Sequence, residues 1–128
     1  MDGGVKQDPD YRVQYAALNA IGMLCMEQQP FVQLHKHEVL VPAIRGCMKS
    51  PSPRVAAHAA GALVNFLEGS RLPQLVKPYV EDLLGDVYAQ LSSTHAMVRE
   101  HAMNALAVLA DTAREEFGRL YVGLCPGN

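Results

Sequence analysis

Histidine and cysteine are the side chains best suited to metal binding or nucleophilic chemistry, and this chain carries five of the first and three of the second. Their spacing argues against both. His35 and His37 flank Lys36, and residues two apart on a helix point to different faces. Neither has a cysteine or a third ligand at zinc spacing, so they read as surface or capping residues. Cys25, Cys47 and Cys125 are odd in number and form no C-x-x-C pair. That pattern fits reduced thiols used as small core residues, with Met23, Met26 and Met48 nearby, rather than disulfides or nucleophiles. No Ser/His/Asp set, glycine-rich phosphate loop or H-E-x-x-H motif is present. The expectation is a chain with no metal, no cofactor and no enzymatic activity.

Composition narrows the partners. The chain has 128 residues, 49% hydrophobic and 19% charged, a balance that excludes disorder. Eleven Lys and Arg against thirteen Asp and Glu give a net charge of -2, which lacks the basic footprint of a nucleic-acid binder. Apolar stretches such as Ala105–Ala110 fall far short of the ~20 residues of a membrane helix, and Met1–Asp10 is too polar for a signal peptide.

The elements that carry these residues follow a helical period. Val13, Ala17, Ala20, Ile21 and Leu24 make one apolar stripe, which recurs as Val55, Ala59, Ala62, Leu63 and Phe66, then as Val98, Ala102, Ala105, Leu106 and Leu109. The leading valines are 42 and then 43 residues apart, within the range of HEAT or armadillo units. His58 and His101 share one repeat position, also 43 apart, so they belong to the architecture, as inter-helix hydrogen bonds or half-buried packing. Between the stripes lies a second pattern, Leu40, Val41, Ile44 and Met48, then Leu83, Leu84, Val87 and Leu91. The predicted fold is an all-α α-solenoid, an alpha-alpha superhelix of HEAT-type repeats in which a stripe helix A is followed by a helix B. Helices are expected over Pro9–Glu27, Phe31 or Gln33 to Met48, Pro53–Glu68, Leu72–Leu91 and Ala96–Glu115, with Asp8-Pro9, Ser52-Pro53 and Thr94 as start signals. Residues 1–8 are then a linker or disordered, 9–50 and 51–92 are repeats, and 93–128 is a repeat whose helix B stops near Pro126. Read this way, the chain resembles a piece of a longer solenoid.

Particular strings make the kinship specific. Pro53–Glu68, with HAAGALVNF inside it, resembles a central HEAT repeat of importin-beta (karyopherin-beta) transport receptors, closest to the importin beta-three branch. Tyr11–Gly22 resembles the repeat before it, and Ala107–Phe117, with ADTAREEF, the one after. The resemblance covers about Asp8 to Pro126. It implies a protein-binding segment of a nuclear import receptor that shuttles between cytoplasm and nucleus. In that family B helices line a concave surface that grips cargo with nuclear localisation signals, the GTPase Ran displaces cargo, and A helices expose grooves for phenylalanine-glycine repeats of pore proteins. The alternative is a structural scaffold such as a phosphatase regulatory subunit, which keeps a stricter ~39-residue period. An iron site of the kind found in the HEAT-like deoxyhypusine hydroxylase needs paired His-Glu dipeptides, and only His37-Glu38 has that order.

With Val41, Ile44, Met48, Leu84, Val87 and Leu91 turned inward, the outward positions of the B helices are Glu38, Arg45, Lys49, Glu81 and Tyr88. These five are the candidate protein-binding residues. Arg45 and Tyr88 are 43 apart and are expected side by side. An asparagine row of the armadillo type is disfavoured, because Asn19 and Asn104 share a repeat position while Asn65 stands four residues later. These asparagines are expected to bridge backbone carbonyls between repeats. Leu106, Leu109, Phe117 and Leu120 are expected to stay partly uncovered and to drive self-association.

Overall fold

The computed structural model describes the backbone of residues 3–70 and 73–124 and the side chains of residues 11–70 and 74–114. Every described element is helical: α1 (Gly3–Glu27), α2 (Phe31–Met48), α3 (Pro53–Ser70), α4 (Pro73–Val76), a 3-10 turn (Lys77–Tyr79), α5 (Val80–Leu91) and α6 (Ala96–Leu124). The expected all-α solenoid is therefore found.

Three boundaries differ from the sequence reading. α1 begins at Gly3 and runs through Asp8 and Pro9, so most of the expected linker is helix and the expected cap is not used. A proline's preset φ suits a helix, and it forfeits one backbone bond there. The helix expected over Leu72–Leu91 is broken at Lys77–Tyr79, where Pro78 supplies no N–H. α6 runs unbroken to Leu124, so no third helix B exists among the described residues. Cys125 and Pro126 lie outside them.

Caps follow serine chemistry. Ser52 Oγ accepts the Val55 amide at 3.4 Å, as the Ser52-Pro53 signal predicts. Before α6 the turn is held by Ser93, whose Oγ accepts the His95 amide at 3.1 Å, and not by Thr94.

The larger difference is how helices pair. α2 packs chiefly on α3, and α5 on α6, whereas α1 touches α2 only lightly. The hairpins are thus α2–α3 and α5–α6, cut one helix later than the expected units 9–50 and 51–92. The apolar side of α2, with Leu40, Val41, Ile44 and Met48, meets Val55, Leu63 and Phe66 of α3 in the core. Burying a side chain such as Phe66 or Leu63, each fully covered, contributes about 1.5 to 3 kcal/mol. α1 has no hairpin partner among the described residues. Its expected stripe is consequently exposed, Val13 by 65% and Leu24 by 45%, and it uses Leu18, Gly22 and Cys25 against α3 instead. At the other end Leu106 is half-buried, as expected, whereas Leu109 is fully buried against the expectation; the side chains of Phe117 and Leu120 lie outside the described residues.

Two buried glutamines tie the elements together. Gln33 Nε2 donates to the carbonyls of Cys25 (3.1 Å) and Phe66 (3.5 Å), joining α2 to α1 and α3. Gln90 Nε2 donates to Met48 (3.1 Å) and Ala56 (2.9 Å), fastening α5 to the preceding hairpin.

α1, α3 and α6 lie side by side in one closely packed layer, while α2 and α5 form a second layer and touch each other sparsely. Small residues allow the close approach, with Gly22, Ala59, Ala60, Ala102 and Ala105 all buried. A stack of hairpins with unequal spacing bends toward its tighter layer, so α1, α3 and α6 line the concave side. The expectation had put the other helices there.

Candidate protein-binding surface

The five residues expected to bind protein all stand on the outer layer. Arg45 is not free to meet a partner: its Nε donates to Asp86 Oδ2 at 2.6 Å, and its Nη1 lies 3.5 Å from Asp82. Lys49 Nζ joins the same cluster, 3.3 Å from Asp86 Oδ1. The hydrogen bond that Arg45 donates to Asp86 holds its guanidinium still more firmly protonated than usual. Asp86 is almost wholly buried, so this cluster clamps α2 to α5 across the sparse outer layer. Glu38, Glu81 and Tyr88 are exposed, and no ring or hydrogen-bond contact joins Tyr88 to Arg45 among the described residues. The expected Arg45–Tyr88 pair does not form, because Asp86, two residues before Tyr88 on α5, captures the arginine instead. Its place near the repeat position of Arg45, 41 residues on, was the available signal.

His37 hydrogen-bonds the Tyr79 hydroxyl, fixing the 3-10 turn to α2. Among the described residues no group of three His, Cys, Asp or Glu is placed to hold a metal ion. No helix among them is long and apolar enough to cross a membrane.

The concave layer offers a more open surface, and sequence reasoning had passed over most of it. Along the seam between α1 and α3 lie two clefts. One, of about 180 Å³, is lined by Asn19, Gly22, Met23, Met26, His58, Gly61 and Asn65 among others. The second, of about 150 Å³, is lined by Tyr11, Arg12, Tyr15, Ser52, Arg54 and Val55. Between them Tyr15 stacks on His58, with ring centroids 4.2 Å apart and planes 22° from parallel, and Arg54 Cζ stands 5.1 Å from the Tyr15 centroid.

His58 is half-buried, as its repeat position predicts, and burial lowers its pKa below the usual value, with His101 and Arg54 adding to the effect. It is therefore a neutral, flat wall at neutral pH. His101, its repeat equivalent, departs from that role: it is exposed and bonds the Met97 carbonyl of its own helix at 2.9 Å. The expected carbonyl-bridging by asparagines also fails. Asn19 and Asn104 are exposed, Asn65 is half-buried, and none makes a side-chain hydrogen bond among the described residues. The helical geometry turns Asn19 and Asn65 into the cleft instead, leaving free donors and acceptors.

The floor depends on glycine. A Cβ on Gly22 would lie 3.1 Å from the Asn65 amide nitrogen, so Gly22 makes the room in which that amide sits. Met23 and Met26, more than half exposed, supply soft apolar surface that adapts to different side chains. Free amides above an adaptable apolar wall suit an extended polypeptide, whose backbone N–H and C=O groups need partners at each residue.

Comparison with known proteins gives a consistent kinship. A family profile described as HEAT-like repeat matches residues 11–66. Importin subunit beta-3 of Saccharomyces cerevisiae is 35% identical over 120 residues, which is 93% of this chain and 11% of that protein. The crystal structure of the karyopherin Kap121p bound to the SUMO protease Ulp1p superposes with a TM-score of 0.80 at 35% identity, covering 93% of this chain and 12% of that one. That of Kap121p bound to Pho4p gives 0.79 at 34% identity, covering 91% and 11%. The chain thus spans about a tenth of the length of the relatives that it matches.

Proposed function

The chain belongs to the karyopherin-β family of HEAT-repeat proteins, and from that premise we propose that it is a cargo-binding segment of a nuclear import receptor, with no catalysis of its own. The single observation that carries the reading is the α1–α3 seam, where Asn19 and Asn65 line an open cleft without hydrogen-bond partners among the described residues. An extended stretch of cargo lies along this seam, its backbone bonded by the two amides and its side chains resting on Met23, Met26 and the Tyr15–His58 stack. Kap121p, the similar protein, is seen bound to Ulp1p and to Pho4p, which are protein partners. For the whole receptor the reading includes nuclear localisation signals as the cargo feature, release by Ran, passage along pore phenylalanine-glycine repeats, and shuttling between cytoplasm and nucleus.

The outer-layer residues Glu38, Arg45, Lys49, Glu81 and Tyr88 keep a lesser place in this proposal. Glu38, Glu81 and Tyr88, the last 61% exposed, are the members open to a partner, while Arg45 and Lys49 serve the clamp. A purely structural scaffold, as in a phosphatase regulatory subunit, is not favoured, since the family match is to transport receptors.

The test is calorimetric titration of the full chain with a lysine-rich nuclear localisation peptide. Asn19→Ala with Asn65→Ala should weaken binding at least about fivefold, close to 1 kcal/mol, with helicity by circular dichroism unchanged. Unaltered affinity would move the cargo site off this seam.

A further inference from the structure

The cleft beside the cargo seam has a chemistry of its own. Among the described residues its polar lining consists of Arg12, Arg54, Tyr11, Tyr15 and Ser52, with no aspartate or glutamate. Elsewhere among the described residues arginines are engaged: Arg45 with Asp86, Arg99 with the Ser93 carbonyl at 2.8 Å, and Arg114 with Asp111. Arg12 and Arg54 alone have no hydrogen-bond acceptor there. Arg54 Cζ stands over the Tyr15 ring, 5.1 Å from its centroid, a cation–π contact that takes up no hydrogen-bond acceptor. The two guanidiniums come from neighbouring helices, α1 and α3, at positions 42 residues apart, so the repeat itself sets them across one cleft. In a chain of net charge -2, two arginines that line one cleft without an acceptor among the described residues mark it for a negative group.

Resting on the cargo-segment reading, we propose that this cleft receives the phosphomonoester of a phosphorylated serine or threonine in the bound protein segment, next to the stretch held at Asn19 and Asn65. Donor chemistry selects the group. Two guanidinium forks and three hydroxyls offer more N–H and O–H donors than the two oxygens of a carboxylate accept, and the three oxygens and second negative charge of a dianionic phosphomonoester engage more of them. The volume of about 150 Å³, open to solvent, admits such a headgroup on its side chain. Phosphorylation at that register of a partner would then strengthen capture, which makes the site a reader of the partner's modification state.

The experiment uses the full chain and N-acetyl-O-phosphoserine N-methylamide, followed by NMR shifts of the backbone amides of residues 11–15 and 52–58 and of the arginine side-chain N–H groups. Saturable shifts confined to these residues are expected. The serine and glutamate counterparts and inorganic phosphate should bind at least about tenfold more weakly, and raising salt should weaken the phosphoserine complex. Arg12→Gln with Arg54→Gln should raise the dissociation constant at least about tenfold, whereas Arg114→Gln should not. A response to glutamate as strong as to phosphoserine, a response to inorganic phosphate equal to it, or indifference to the Arg12 and Arg54 changes would each overturn the proposal. The asparagine variants with the unphosphorylated peptide report on the cargo reading, so failure there and failure here are separate results.

Discussion

Gly69 and Gly46 are both helical glycines, yet replacing each by alanine should move stability in opposite directions. Gly69 ends α3 where it crosses the α1–α2 corner. A Cβ there would stand 2.7 Å from the Cys25 carbonyl oxygen and 3.1 Å from Gln29 Cβ, and closer still to Gln33 Nε2. The carbonyl is backbone and cannot swing aside. Overpacking at such a site costs about 1 to 3 kcal/mol. Displacing Gln33 from its buried bonds to Cys25 and Phe66 costs about 1 to 3 kcal/mol more. Alanine's better helix propensity returns about 1 kcal/mol. Gly69→Ala should therefore destabilise by about 1 to 5 kcal/mol, centred near 3, and lower the urea midpoint by ~1 to 2 M. A Cβ on Gly46 or Gly85 would meet nothing within 4 Å, and either change should stabilise by about 0.5 to 1 kcal/mol. The assay is urea denaturation of the full chain followed by circular dichroism at 222 nm, a standard helix band. A Gly69→Ala variant as stable as the parent would show that α3 does not end against the α1 carbonyl, and the hairpin geometry built on that contact would fall with it.

Other outcomes follow from the same packing. Asp86→Ala should cost about 1 to 3 kcal/mol by leaving Arg45 and Lys49 uncompensated, while Asp82→Ala, on a side chain 62% exposed, should be nearly neutral; equal effects in denaturation would show that Asp86 is not the clamp. Burial, His101 and Arg54 lower the His58 pKa, so the unfolded chain binds the proton more readily and stability falls as pH drops through the ordinary histidine range near 6.5. His58→Phe, which keeps a ring against Tyr15, should flatten the loss of stability between about pH 7.5 and 5, and an unchanged slope would remove His58 from the account. Burial pushes the Cys25 thiol up to about 11, so at pH 8 only about one in a thousand is thiolate. Iodoacetamide should label it far more slowly in the native chain than in urea, as peptide mass spectrometry can follow, and equal rates would contradict its burial.

Much of this protein is legible in its sequence because helical periodicity is a local property. The stripes from Val55 and Val98 and the patterns Leu40–Met48 and Leu83–Leu91 lie where the buried positions fall, since one face of each helix must leave water whatever the partner. The kinship to transport receptors was likewise written in HAAGALVNF and ADTAREEF. A period, however, has no starting point: a repeat of 42 residues reads the same whether it is cut before α1 or before α2. Which turn closes a hairpin depends on which apolar faces meet, and only the tertiary structure shows α2 on α3 and α5 on α6. From that choice came the misplaced stripe of α1, the misplaced concave layer and the misplaced charge partners. The stripe of Val13 and Leu24 is exposed because no helix among the described residues pairs with α1 as a hairpin partner. The concave layer is α1, α3 and α6 because their small residues let them close up, a consequence of contact between distant segments rather than of local pattern. Arg45 was lost to Asp86, and Arg12 came to line one cleft with Arg54, for the same reason: which charges lie near each other is decided by distance through space, and the sequence specifies that distance only after the helices have packed.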